Sequence, residues 1–337
     1  MERILVTGGA GYIGSHVCQR LLLDGHKVGI VDNLSTGSRI ALDALGHCEF
    51  YNSDILDFGA MSRILKDFQP GVVVHFAAAA YVGESMSDPL KYFDNNVAGT
   101  ISLLKAMVSC LSEPKVIFSS SCSVYGSTNS AKGFSECSPL SPESNYARTK
   151  LNCEEILRSL VEAKKLTAVC LRLFNVGGAS YDLRFGERHE PETHLIPLAI
   201  LAALLPDRRL LIFGDDWDTP DGSCQRDYVH VEDVADAVSA AVHKLSYRAS
   251  EFLGRFVPLN LGRGEPTSVF DLVATIETIS SRVVKRSTVL RRAGDVARVY
   301  GDIGKANLLL GWTPKRTTFD ICSSAYAFEF NRIRDIA

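Results

Sequence analysis

The feature that most constrains this chain is the run Thr7-Gly8-Gly9-Ala10-Gly11-Tyr12-Ile13-Gly14-Ser15, in which Gly8, Gly11 and Gly14 recur three apart. An apolar, strand-like stretch (Arg3 to Val6) precedes it, and an amphipathic helical stretch (Ser15 to Leu23) follows. A chain that passes from strand to helix this way uses one glycine for the tight turn and one to bring backbone close to a pyrophosphate. The third lets helix pack on strand, and the helix N-terminus then faces the anion. Glycines alone are a weak signal, because turns use them for other reasons. The flanking elements make the pattern specific. A second strand candidate, Lys27 to Val31, runs into Asp32-Asn33, and Asp32 lies 18 residues beyond Gly14. A carboxylate at that place accepts from both ribose hydroxyls of NAD and repels the extra phosphate of NADP. NAD is therefore the expected cofactor.

The rest of the first half repeats the alternation. Val72 to Phe76, Lys115 to Ser119 and Ala168 to Leu173 read as strands, several apolar throughout, as strands buried on both faces are. Ala60 to Phe68, Asn96 to Cys110 and Tyr146 to Ala163 read as helices. The expected fold is α/β, a Rossmann-like doubly wound parallel sheet. Beyond Asn175 the pattern loosens. Gly177 to Thr193 reads as a long polar loop, followed by a helix (Ile196 to Leu205), a strand (Leu210 to Phe213) and a helix after His230. This predicts residues 1–175 as a dinucleotide-binding domain, with a return segment near 227–245, and 176–337 as a smaller α/β substrate lobe over the sheet's carboxyl edge.

Catalytic groups are predicted at that edge. The fourth strand candidate runs on into Ser120-Ser121, and Tyr146-Ala147-Arg148-Thr149-Lys150 opens a helix, with Tyr146 and Lys150 on one face. A free phenol, with a pKa of about 10, is too weakly acidic to serve as a base at neutral pH. A neighbouring ammonium is expected to favour the phenolate, with the positive ring of oxidised nicotinamide helping, and Ser121 to hold the reacting hydroxyl and share its proton.

Composition excludes other classes. Hydrophobic residues make up 46% and charged residues 22%, ordinary for a globular protein. A net charge of −3 leaves no basic excess for nucleic acid. The most apolar run, Leu195 to Leu205, is too short to span a bilayer, so no membrane partner is expected. The first residues read as a strand and not as a cleavable signal, which points to the cytoplasm. Nine scattered cysteines without a Cys-x-x-Cys pair read as an unpaired, buried set.

With these residues in hand, the chain resembles the extended short-chain dehydrogenase/reductase family and, within it, the UDP-sugar 4-epimerases. The matching segments run nearly end to end: Val6 to His16, Asp32 to Ser35, His75-Phe76-Ala77, Val82 to Ser85, Asn95-Asn96-Val97, Phe118 to Ser121, Val124-Tyr125-Gly126, Arg226 to Val231 and Arg291-Arg292-Ala293-Gly294-Asp295. The resemblance implies an isomerase that interconverts UDP-glucose and UDP-galactose. A transient 4-keto sugar would be reduced on its opposite face, and NAD would be restored each cycle. It implies that Tyr12, Ile13, Asp32, Asn33, Asp54, Ile55, Phe76, Ala77, Ala80, Asn95, Ser121, Tyr146, Lys150 and Phe174 line the NAD site. Asn175, Leu195, Phe213, Arg226, Arg292 and Asp295 would line the nucleotide-sugar site, with Val299 sizing the sugar pocket. A forked guanidinium suits a diphosphate. Family members pair through two helices, so a homodimer is expected, with Asn96 to Cys110 and Tyr146 to Ala163 as the candidates.

Leu173, Val176, Ala80 and His194 replace commoner family residues without removing a proton-transfer group. A small side chain at Val299 suggests tolerance of N-acetylated sugars. Epimerases of UDP-N-acetylglucosamine or of UDP-xylose and UDP-arabinose would use the same residues. A 4,6-dehydratase needs an acid before Val124-Tyr125-Gly126, where this chain has Cys122-Ser123. A non-catalytic NAD sensor would not need the complete Ser/Tyr/Lys set. The loop Glu187 to His194 superficially suggests a metal cluster, but its histidines lie five apart and Pro191 disrupts the helix that would align them. No metal is expected.

Overall fold

The computed structural model describes residues 1–127, 133–247, 250–292 and 295–334. Ala293 and Gly294 of the Arg291–Asp295 motif lie outside them. In chain order the strands are β1 (Arg3–Thr7), β2 (Lys27–Asp32), β3 (Glu49–Asn52), β4 (Val72–His75), β5 (Lys115–Ser121), β6 (Thr167–Leu173), β7 (Asn175–Gly177), β8 (Leu210–Phe213), β9 (Gln225–His230), β10 (Phe256–Leu261), β11 (Pro266–Ser268), β12 (Arg286–Val289) and β13 (Arg298–Val299).

Seven of them form one parallel sheet in the order β10-β6-β5-β4-β1-β2-β3. The order reverses between β1 and β4, and a crevice opens there at the carboxyl ends. Register brings those ends level: Thr7 lies opposite Val31 on one side and His75 on the other. β4 and β6 are buried at every position, which explains why they are apolar but for His75, Thr167 and Arg172, the last paired with buried Glu154 at 2.7 Å. On one face of the sheet the helices Tyr12–Leu23 and Val231–Ser246 share a core with Ile4, Val6 and Val74. On the other face Phe58–Phe68, Gly99–Cys110 and Asn145–Glu162 pack around Leu5, Val73 and Phe118.

β3 and β10 were not foreseen. β3 is a four-residue edge strand, Glu-Phe-Tyr-Asn, only half buried. β10 contains Pro258, which argues against a central strand, and it sits at the other edge, where a missing N–H costs no ladder bond. Later elements form a second core: the helices Leu195–Leu204, Val269–Ser280 and Thr318–Arg334 pack together with Ile212, Tyr228 and Leu272 in it. All nine cysteines are free, as expected, but they are not all buried, since Cys137 is exposed. Among the described residues, no helix is long and apolar enough to cross a membrane.

Candidate functional site

The glycine turn is fixed by contacts that admit no side chain. Gly8 has φ +73°, and a Cβ there would lie 2.5 Å from the Ala77 backbone nitrogen. A Cβ on Gly14 would lie 2.1 Å from the Gly8 carbonyl oxygen, so the third glycine lets the helix close on the turn. Gly11 caps the helix without a side-chain hydrogen bond, and no acidic residue lies in the first turn. The first-turn N–H groups and the positive end of the helix dipole are thus left for an anion. Asp32 at the end of β2 accepts from the Ala10 backbone at 3.0 Å and from Leu34 at 2.8 Å. Burial pushes its carboxyl above the usual range, although both backbone bonds favour the charged form. A Cβ on Gly37 would lie 2.6 Å from Asp32 Oδ1, so the following loop wraps tightly over the carboxylate. A cradle closed to side chains, an uncapped helix end and a carboxylate beside them fit an adenine dinucleotide.

These residues form one wall of a cleft of about 1510 Å³. Of the NAD-site residues expected from the sequence, Gly8, Gly11, Tyr12, Ile13, Gly14, Asp32, Asn33, Ile55, Phe76, Ala77, Ala80, Asn95, Tyr146, Lys150 and Phe174 line it. Of the sugar-site residues, Ser121, Asn175, Leu195, Phe213, Arg226, Arg292 and Asp295 do so too. Two expected residues are not among those lining it. Asp54 sits behind Asn33, whose Nδ2 donates to it at 2.9 Å. Val299 on β13 packs with Phe174 and Cys122 in a small apolar cluster.

Ser121 ends β5, next to β4 in the middle of the sheet, and Tyr146 and Lys150 lie in the first turns of the helix Asn145–Glu162. The Ser144 hydroxyl caps that helix by accepting from Ala147 at 3.1 Å. Ser121 Oγ already accepts from the Ser123 backbone at 3.2 Å and the Ser123 hydroxyl at 2.8 Å. Its own proton is therefore what it has to offer, and this hydroxyl favours ionisation of the Tyr146 phenol. Lys150 Nζ donates to the Ser119 carbonyl at 2.7 Å and lies 5.8 Å from the Tyr146 ring centre.

Burial pushes the Tyr146 phenol up to about 12, and only Ser121 pulls the other way. Burial also pushes Lys150 down to about 8. Taken alone, the protein holds a neutral phenol at neutral pH. The Lys150 ammonium is held on the Ser119 carbonyl, beside the phenol ring.

Sequence reasoning passed over the groups that hold this corner together. Asn96 is buried and clamps the loop after β4: its amide pairs with Ala79 N at 2.8 Å and Ala79 O at 3.0 Å, and donates to Thr149 at 3.1 Å. It stood in a motif, but nothing marked it as the residue that turns inward. His75 bridges Thr7 and Thr100 at 2.7 and 2.9 Å, and burial lowers its pKa to about 3, so it stays neutral.

On the opposite wall, Arg226 is oriented by the carbonyls of Gln225 and Val296, both at 2.9 Å, with Asp295 3.6 Å away. The Arg292 guanidinium stacks 3.6 Å from the Phe213 ring centre. Two fixed guanidinium groups in one cleft suit a diphosphate. Between the walls runs the loop after β7. Its Glu187, His189, Glu192 and His194 side chains come together, each offering one ligand atom, with all four atoms within 4.8 Å of one another. No helix aligns the two histidines, as Pro191 predicts, yet the loop folds back on itself and brings them together without one.

The sequence pattern of the NAD dependent epimerase/dehydratase family matches residues 4–251. A UDP-glucose 4-epimerase of Rhizobium meliloti is 41% identical, with 98% of each chain covered. The structure of a UDP-glucose 4-epimerase of Stenotrophomonas maltophila with bound NAD and formylated UDP-arabinopyranose superposes with a TM-score of 0.93 at 36% identity, covering 99% of this chain and 100% of that one. A UDP-Glc/GlcNAc 4-epimerase of Campylobacter jejuni superposes at 0.84 with 36% identity, over 98% of this chain and 100% of that chain.

Proposed function

The chain belongs to the NAD dependent epimerase/dehydratase family, and from that premise we propose that it is an NAD-dependent 4-epimerase of UDP-sugars, with UDP-glucose and UDP-galactose the pair it interconverts. The observation that carries the reading is the convergence, in one cleft, of the glycine cradle with Asp32, the Ser121–Tyr146–Lys150 corner, and two oriented arginines. In this reading the sheet formed by residues 1–175, with the segment that returns near 227–245 and continues through β10, holds the cofactor. The remainder of 176–337 holds the nucleotide sugar.

Bound NAD would supply the hydride acceptor and donor for carbon 4 of the sugar, together with a positive ring. The chain's own groups do the rest. The glycine cradle and the uncapped helix end would hold the pyrophosphate, and Asp32 would accept from the ribose. Phe76, Ala77, Ala80, Asn95 and Phe174 line the cofactor's side of the cleft. Tyr146 takes the proton of the 4-hydroxyl and returns it, with Ser121 donating to the same oxygen and steadying the negative charge. The Lys150 ammonium favours the ionised phenol against the cost of burial, and the positive ring of bound NAD would add to that field. Arg226 and Arg292 hold the diphosphate while Asn175, Leu195, Phe213 and Asp295 border the sugar nucleotide. An anchored diphosphate leaves the sugar free to present either face. Cys122, a thiol that burial pushes up to about 12, is no proton donor at neutral pH, so the position before Val124 offers nothing for a dehydratase.

We further place the enzyme in the cytoplasm, in galactose metabolism, as a homodimer. The exposed Met86 and Leu90, on short helices beside Asn145–Glu162, support a protein-protein face there. The purified protein, given UDP-galactose and no added NAD, should form UDP-glucose, read by proton NMR. Tyr146→Phe should lower the rate by roughly 10²–10⁴-fold, the usual span for a general acid-base group. No product from the unaltered protein, or an unimpaired Tyr146→Phe, would overturn the reading.

A further inference from the structure

The loop between β7 and the helix Leu195–Leu204 carries four side chains that the epimerase chemistry does not use. Glu187 Oε1 lies 3.0 Å from His189 Nδ1 and 2.7 Å from His194 Nδ1. Glu192 Oε1 lies 3.2 Å from His194 Nδ1, and its Oε2 lies 3.9 Å from His189 Nδ1. For bonds of about 2.0–2.1 Å to a tetrahedral ion, neighbouring ligand atoms stand about 3.3–3.4 Å apart. The observed separations straddle that value. Glu192 Oε1 is already occupied by the backbone N–H groups of Thr193 and His194, at 2.7 and 2.8 Å, which leaves Oε2 turned toward His189 as the free donor. The His189 ring is itself held by the edges of Tyr12 and Tyr81, with ring centres 6.5 and 5.7 Å away. The donors are therefore held before any ion arrives.

The donor set names the class of ion. Two imidazoles and two carboxylates are wrong for magnesium and calcium, which take oxygen ligands. They suit zinc and its borderline neighbours. Two carboxylates with two neutral imidazoles also balance a divalent charge. With four protein donors and no open position, such a site is of the closed, structural kind. We propose that Glu187, His189, Glu192 and His194 bind one divalent ion of the zinc class, which clasps this loop at the cleft wall beside Tyr12. All four ligands come from one eight-residue stretch, so the site stands or falls independently of the epimerase reading.

The test uses the full chain, stripped with a chelator and titrated at neutral pH with Zn²⁺ or Co²⁺ alone. One equivalent should bind, with the intense visible absorption of four-coordinate Co²⁺, and Zn²⁺ should displace it. Both the equivalent and the absorption should vanish in the near-isosteric Glu187→Gln and in His189→Ala/His194→Ala, each checked for fold by circular dichroism. The unaltered protein decides the matter even if a variant fails to fold. The proposal is overturned if that protein binds no stoichiometric ion, or if binding survives in the double variant. It is equally overturned if bound Co²⁺ shows thiolate charge-transfer bands, which would put the ion on cysteine.

Discussion

The two walls of the cleft are built on different principles. The cofactor wall is mostly backbone at the ends of β1, β2 and β4, held at distances that leave no room for a Cβ at Gly8 or Gly14. The sugar wall is side chains on short strands and connecting segments: Arg226 leans on two carbonyls, Arg292 on one aromatic ring, and Asn175 is exposed. A backbone site tolerates almost no change of residue type. A side-chain site can be retuned one contact at a time, and a family that handles several sugars would vary there.

The sharpest way to break this contrast is a single added methyl. Gly14→Ala puts a Cβ against the Gly8 carbonyl, a backbone atom that cannot step aside. We expect loss of bound NAD and destabilisation of at least about 1–3 kcal/mol, seen in thermal unfolding. Gly83, with nothing within 4 Å of its Cβ position, should accept the same methyl with no such loss. If Gly14→Ala kept its cofactor, the rigid-wall description would be wrong. On the opposite wall the effect should be graded: Arg226→Gln should weaken UDP binding by roughly tenfold to a hundredfold through loss of a charge-assisted contact, while NAD stays bound. Isothermal titration with UDP measures it, and an unchanged affinity would remove Arg226 from the diphosphate site.

A smaller effect sharpens the picture of the corner between the walls. Burial lowers Lys150 from an ordinary 10.5 to about 8. Between those values the unfolded chain holds a proton that the folded protein has lost, so stability rises with pH across that window and the cost of the buried ammonium is complete below about pH 8. Lys150→Met should therefore be relatively more stable at neutral pH than at pH 10, even as turnover falls. Paired urea titrations at the two pH values would show the difference shrinking. A constant difference would mean that Lys150 is not buried as a charge.

The same contrast explains what could be read from sequence. The cofactor wall was legible because its constraints act on residue type: Gly8, Gly11 and Gly14 flanked by strand and helix, then Asp32 at the next strand end. Tyr146 and Lys150 were legible as a spacing, but their proton affinities were not. Those depend on burial and on the Ser119 carbonyl, which no spacing records. Asn96 was hidden because an inward-turned amide and a solvated one share a letter. β10 was hidden by Pro258, which reads as a strand-breaker until the strand is known to be an edge. The sugar wall was reached through family resemblance, since Arg226, Arg292 and Asp295 come from separated stretches whose meeting depends on tertiary packing. The meeting of the Glu187, His189, Glu192 and His194 side chains was hidden because it depends on how a loop folds back, which helical spacing does not record.

The central claim is that one hydrogen leaves carbon 4 of the sugar and returns to it without leaving this cleft, while Tyr146 handles the proton. UDP-galactose deuterated at carbon 4, converted by the purified protein in ordinary water, tests it directly. The account predicts UDP-glucose that keeps its deuterium at carbon 4. Product with that deuterium washed out into solvent would contradict it.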